Sequence, residues 1–193
     1  MKKIFQLLTI SALFLMSLTL SAQEFVKGTK MLSIGIGAGD RYYGSGFNMI
    51  IPPLQANLDI GVSEKLGIGY IGVGGLIAYS ASRYGYDNWW GRYERRYSNL
   101  TIGFRGSYHF ALDVKGLDLY AGLMIGYNIA SYKETFPPNY DKNYRYYNYD
   151  RTYGGVLGGL FAGARYMFND KFGIYGELGY TVSVLSVGVT FKF

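Results

Sequence analysis

The chain has 193 residues, a formal net charge of +6, no cysteine and a single histidine. That composition excludes a lipoprotein anchor, a disulfide framework, a thiolate or multi-histidine metal site and a thiol nucleophile. Tyrosine (21), phenylalanine (12) and glycine (28) are plentiful while proline (4) is scarce, a balance that favours β structure.

Lys2 and Lys3 open the chain, Ile4 to Leu20 are almost wholly apolar, and Ser21-Ala22 precede the polar Gln23 and Glu24. A basic start, an apolar run and a small-residue cleavage site make a secretory signal peptide, so residues 1–22 are expected to be removed and 23–193 to form one domain. Without Lys2 and Lys3 the chain keeps 17 basic and 13 acidic side chains, a mild excess that does not argue for nucleic acid. No segment of 23–193 holds 18 consecutive apolar residues, so no transmembrane helix is expected.

From residue 29 onward the period is two, the period of a strand whose successive side chains take opposite faces. Strands are expected at 29–39, 53–62, 66–80, 97–112, 116–131, 153–168, 172–181 and 184–193. In the second, Leu54, Ala56, Leu58, Ile60 and Val62 oppose Gln55, Asn57, Asp59 and Gly61. In the fourth, Leu100, Ile102, Phe104, Tyr108, Phe110 and Leu112 oppose Thr101, Gly103, Arg105, Ser107, His109 and Ala111. The fifth, seventh and eighth alternate in the same way, while glycine on both faces weakens the pattern in the first, third and sixth.

The connections alternate in length. Ser63-Glu64-Lys65, Asp113-Val114-Lys115-Gly116 and Asn169-Asp170-Lys171 are tight polar turns; 40–52, 81–96 and 132–152 read as long loops; the link near Thr181–Val184 is short. Short turns at one end and long loops at the other are the layout of an eight-stranded, antiparallel, up-and-down transmembrane β-barrel. An Arg or Lys facing lipid at the midplane costs about 2–4 kcal/mol. The polar row of Asp59, Arg105, His109, Asp118, Arg165, Glu177 and Lys192 must therefore face inward, with Leu, Ile, Val and Phe outward. Tyr79, Tyr97, Tyr127, Tyr153 and Tyr180 would form one aromatic girdle, and Tyr108, Phe110, Tyr166, Phe168, Phe172, Phe191 and Phe193 the other.

The chain ends Gly188-Val189-Thr190-Phe191-Lys192-Phe193. A last amphipathic strand closing on Phe191 and Phe193 resembles the terminal signal by which outer-membrane barrels are recognised for assembly. With the signal peptide, the glycine-rich strands and the strand count, residues 23–193 resemble the small outer-membrane barrel family of the OmpX and OmpA transmembrane-domain type. The Ser-Ala-Gln site and the Tyr- and Gly-rich strands resemble members from the Bacteroidetes group. The resemblance implies an outer-membrane location, contact with the barrel-assembly machinery, and membrane lipid and lipopolysaccharide as surroundings. No peptidoglycan-binding domain is expected after residue 193, so the anchoring role of two-domain relatives is not expected here.

An eight-stranded barrel is just wide enough for side chains to fill. Three cations and three anions inside predict a compensated polar plug that fixes the barrel, with a narrow solute path as the alternative. His109, with Ser107 two residues away on one face, could serve as the base of a lipid-modifying enzyme. The sequence supplies no third member, so His109 is read as structural and neither enzymatic activity nor a cofactor is expected. The candidates for interaction lie in the long connections: Tyr86, Trp89, Trp90, Arg92 and Arg95 in one, and Tyr144, Arg145, Tyr146 and Tyr147 in another. Tyr, Trp and Arg are enriched at binding hot spots, and Arg can grip lipopolysaccharide phosphates with two donors. The same side chains could instead only extend the girdle and hold the loops together. Nothing in the sequence selects a surface ligand.

Overall fold

A computed structural model describes residues 25–41, 48–88, 91–135 and 151–193. The strands are β1 (Lys30–Asp40), β2 (Asn48–Gly61), β3 (Gly69–Asn88), β4 (Gly91–Phe110), β5 (Leu117–Thr135), β6 (Arg151–Met167), β7 (Phe172–Gly179) and β8 (Ser183–Lys192). Each pairs antiparallel with the next, and β1 closes on β8 from Met31↔Lys192 to Asp40↔Ser183, giving a closed eight-stranded barrel. The signal-peptide region 1–22 lies outside the described residues.

The alternation read from the sequence sets which way each strand faces. On β5, outward Leu123 and Ile125 are 64% and 62% exposed while Met124 between them is 3% exposed. Outward Ile, Leu, Val and Phe recur on every strand, from Ile34 and Ile36 on β1 to Val187 and Phe191 on β8. Six of the seven residues of the polar row are buried, with Asp59 and Arg105 at 0% and Arg165 at 1%; Lys192 is only half-buried. No helix among the described residues is long and apolar enough to cross a membrane.

The wall is uneven in height. β3 and β4 stay paired from Gly69↔Phe110 to Asn88↔Gly91, whereas β6 and β7 pair only from Met167↔Gly173 to Phe161↔Gly179. Residues 81–96, expected to be a loop, are therefore mostly the top of a hairpin of two twenty-residue strands. The connection expected at 132–152 likewise yields residues at both ends to β5 and β6. The alternation that marks a strand comes from one face being buried. Above the barrel rim Arg83, Tyr84 and Gly85 are all exposed, so the signal fades while the backbone ladder continues.

β2 also begins earlier than expected, at Asn48, and runs through Pro52-Pro53 with register shifts on either side of Ile51. Proline cannot donate to a ladder and belongs on a strand edge. Here β1 has already parted from β2, whose pairing ends at Ile36↔Leu54.

Buried side chains sit inside the barrel at both of its ends. At the end with the tight turns, Gly28 N donates to Gly61 O (2.9 Å) and Gly61 N to Thr29 O (2.9 Å). These bonds fold the chain before β1 under the barrel, burying Phe25 to 2% exposure. At the hairpin end the β7–β8 link turns inward: Thr181 and Val182 are buried, and Val182 packs with Leu76, Met124, Leu157 and Phe161. Arg41 holds that link. Its backbone N donates to Val182 O (3.2 Å), and its Nη1 sits 2.9–3.1 Å from the carbonyls of Gly158, Tyr180 and Thr181.

Candidate functional site

Two regions hold the candidate residues: the barrel interior and the tall hairpins. In the interior, two guanidinium groups reach across the lumen, one from β4 and one from β6. Arg105 on β4 reaches Glu177 on β7 with two parallel bonds, Nη1 to Oε1 at 3.0 Å and Nη2 to Oε2 at 2.6 Å. Arg165 on β6 reaches Asp59 on β2 through Nη2 and its cross-strand neighbour Asp118 through Nη1 at 3.1 Å. Arg105 Nε also lies 3.9 Å from Asp59 Oδ1. The Tyr120 hydroxyl donates to Glu177 Oε2 (3.1 Å), and Arg165 Nε donates to Ser33, which in turn bonds Thr190 (3.0 Å).

Aromatic faces complete the packing. Arg105 lies 3.7 Å from the Phe161 ring centre and Arg165 4.3 Å from that of Tyr120. Buried charges are tolerated only when paired and hydrogen-bonded. The two-pronged Arg105–Glu177 contact over an aromatic face meets that condition, while Arg105 Nε and Asp59 Oδ1, 3.9 Å apart, are buried without a hydrogen-bond partner among the described residues. Lys192 is half-buried near the end of β8, opposite Met31.

His109 carries a finding that the sequence did not supply. Its Nδ1 lies 2.8 Å from Asp118 Oδ1 and its Nε2 2.9 Å from Ser107 Oγ. In the neutral tautomer with its proton on Nδ1, the carboxylate accepts the Nδ1–H and Nε2 accepts from the serine hydroxyl. This is a Ser–His–Asp hydrogen-bond chain, with the acid coming from the next strand across the 113–116 turn. That partner was legible only through the register, which sets His109 against Tyr120 and so brings Asp118 diagonally alongside.

The surroundings of this chain are closed. The Phe25 ring stacks on His109 with centroids 3.5 Å apart, and Ser107 is 5% exposed. Gly72 leaves the space in which they meet: a Cβ there would come within 2.6 Å of Ser107 Oγ and 2.9 Å of His109 Nε2. Asp118 is shared with Arg165. Among the described residues no group of three or more acidic or histidine side chains is placed to hold a metal ion.

At the hairpin end, Arg95 is engaged within the wall. Its Nε lies 2.9 Å from Glu134 and donates to the Tyr93 hydroxyl, which donates to Glu134 (2.5 Å). Burial, with the Glu134 hydrogen bond second, pushes the Tyr93 phenol up to about 12. Tyr86 and Arg92 stand opposite Tyr93 and Asp87 on the hairpin ladder. Trp89, Trp90, Tyr144, Arg145, Tyr146 and Tyr147 lie outside the described residues. Phe191 and Phe193 are exposed on the outside, Phe191 beside Phe172 with ring centres 5.5 Å apart.

The chain is thus an eight-stranded, all-antiparallel closed β-barrel with a charged, packed interior and an apolar exterior. No family model and no curated protein matches it. Among solved structures it is similar in fold to the N-terminal β-barrel domain of Pseudomonas aeruginosa OprF (TM-score 0.47, 13% identity, 87% of this chain and 98% of that one). It is also similar to Ail, the attachment invasion locus protein of Yersinia pestis (TM-score 0.45, 11% identity, 86% and 96%). A second Ail structure, in complex with the heparin analogue sucrose octasulfate, gives a TM-score of 0.44 at 11% identity, with the same shares of the two chains covered. The likeness to members from the Bacteroidetes group finds no support in these comparisons.

Proposed function

We propose that the chain is an integral β-barrel of a bacterial outer membrane, exported through the signal at 1–22, whose interior is a structural plug and whose hairpins present an interaction surface. The observation that carries this reading is the polarity of the wall. Outward positions such as Ile102, Leu123, Leu160 and Leu178 are more than half exposed, while Asp59, Arg105, Asp118, Arg165 and Glu177 are buried inside. In water that arrangement would leave a continuous apolar belt unsatisfied, far beyond the few hundred Å² a soluble monomer ordinarily exposes. In a bilayer the belt is the lipid-facing surface and the closed ladder satisfies the backbone.

The filled lumen supports a structural role over a solute path. Phe25 blocks one end, Val182 with its apolar neighbours the other, and the Arg105–Glu177 and Arg165–Asp59 pairs cross the middle. The buried Ser107–His109–Asp118 chain supports positioning of the plug over catalysis, because Phe25 covers the ring. In this reading Phe191 and Phe193 are offered to the assembly machinery, and the basic, aromatic hairpins meet lipopolysaccharide or a surface ligand. The test is cell fractionation followed by electrophoresis with and without boiling. A folded barrel is expected in the outer-membrane fraction with heat-dependent migration, and a soluble protein whose migration ignores heating would refute the reading.

A further inference from the structure

The outer face of β3–β6 carries an ordered vertical sequence of chemistries. Near its top a row is cationic: Arg83 stands opposite Arg96, and Arg96 opposite Lys133, all three exposed. Directly opposed side chains on one face lie about 4.5–5.5 Å apart at Cβ, and like charges so placed are destabilising. No ion pair among the described residues reaches any of the three. Glu94 shares their face one row higher and forms none with them. One row below, hydroxyls line up as Ser98↔Ser131↔Thr152. Arg96, Lys133 and the hydroxyl row, with Tyr79, Tyr132 and Arg151, line a surface concavity of about 420 Å³.

Below the hydroxyls the face becomes apolar, through Tyr79, Leu100 and Ile129 to Ile102, Tyr127 and Val156. It then opens into a groove between β4, β5 and β6, walled by Phe104, Leu123, Ile125 and Leu160 and floored by Gly106 and Gly158. No internal neighbour requires these two glycines: a Cβ on Gly106 would meet nothing within 4 Å, and on Gly158 nothing nearer than 3.7 Å. Ser131 and Ile125 are six residues apart, about 20 Å along the strand at ~3.3 Å per residue. That is the reach of a lipid chain from its headgroup.

We propose that this strip binds a phosphorylated lipid of the surrounding leaflet. Its phosphate neutralises the Arg83–Arg96–Lys133 row, its polar neck lies on the hydroxyl row, and one acyl chain lies in the Gly106–Gly158 groove. The continuity of cations, hydroxyls and groove on one face selects a lipid over a free anion. The inference rests on the membrane reading above.

The test uses the full barrel reconstituted in phosphatidylcholine vesicles containing spin-labelled phosphatidic acid or spin-labelled phosphatidylcholine, with association read by electron spin resonance. The barrel is expected to favour phosphatidic acid at least about tenfold, given the attraction each basic group near a membrane surface exerts on an anionic headgroup. The exposed triple variant Arg83→Gln/Arg96→Gln/Lys133→Gln, with its fold checked by heat-dependent migration, is expected to lose that preference. Gly158→Leu is expected to weaken it without changing the charge. Equal selectivity in wild type and triple variant, or no selectivity at all, would overturn the proposal while leaving the membrane reading intact. Full displacement of the lipid by inorganic phosphate would also overturn it, in favour of a soluble-anion site. Failure of the wild type to insert into the vesicles would instead strike the membrane reading.

Discussion

Removing Glu177 should be among the most damaging single changes in the barrel. Glu177→Ala strips Arg105 of both two-pronged bonds and Tyr120 of its acceptor, in a lumen where the guanidinium is wholly buried. The nearest remaining anion, Asp59, sits 3.9 Å from Arg105 Nε and is already held by Arg165. Breaking a buried pair by deleting one partner costs about 3–5 kcal/mol, because the other charge stays buried. Replacing both members, Arg105→Met/Glu177→Met, removes the orphaned charge and should cost less than Glu177→Ala alone. The assay is urea unfolding of the barrel in phosphatidylcholine vesicles, followed by loss of the heat-sensitive gel form. A Glu177→Ala loss under about 1 kcal/mol, the range of solvent-screened surface pairs, would refute the reasoning. It would mean that the lumen is wet enough to solvate Arg105.

Other perturbations test the two seals and the hairpin. Phe25→Ala should expose the His109 ring that Phe25 stacks on. Diethylpyrocarbonate should then modify His109 in the variant and spare it in the wild type. The reconstituted wild-type barrel should show no steady conductance in a planar bilayer, and channel openings would restore the solute-path reading. His109→Ala and Ser107→Ala should leave lipid profiles of the host membrane unchanged, and an altered lipid A or phospholipid pattern in either would revive a catalytic role. The difference in alkaline absorbance between wild type and Tyr93→Phe should titrate near 12, above the ordinary 10, because burial and Glu134 disfavour the phenolate. On linkage grounds Tyr93 retains its proton in the fold after losing it in the unfolded chain. Its contribution to stability should therefore be intact below pH 10 and decline as pH rises towards 12.

The fold was legible wherever one face of a strand is buried and the other is not. Leu100 to Phe110 alternates so regularly because Thr101, Arg105 and His109 line a packed lumen while Ile102 and Phe104 face outward. Above the rim that contrast ends, and β3 beyond Ser80 and β4 before Tyr97 escaped detection although their ladder is unbroken. Pro52 and Pro53 hid the start of β2 because proline argues against a strand anywhere but at an edge, and the edge existed only once β1 had parted. The composition of the interior could be read from alternation, but its pairing could not. Which acid Arg165 meets depends on the lumen bringing β2 across to β6, and Asp118 reaches His109 through a register that no periodicity reveals. The cation row was likewise hidden, because Arg83, Arg96 and Lys133 are scattered along the chain and become neighbours only through the register of three strands.

The central claim is that the apolar outside of this barrel touches lipid. The chain lacks cysteine, so single cysteines carrying a fluorophore can be introduced at chosen depths. Ile102→Cys, Leu123→Cys and Ile174→Cys should be quenched strongly by brominated acyl chains after reconstitution. Ser63→Cys and Asp170→Cys, in the tight turns, should be quenched weakly. Equal, weak quenching at all five positions would contradict the account and place the apolar belt somewhere other than in a membrane.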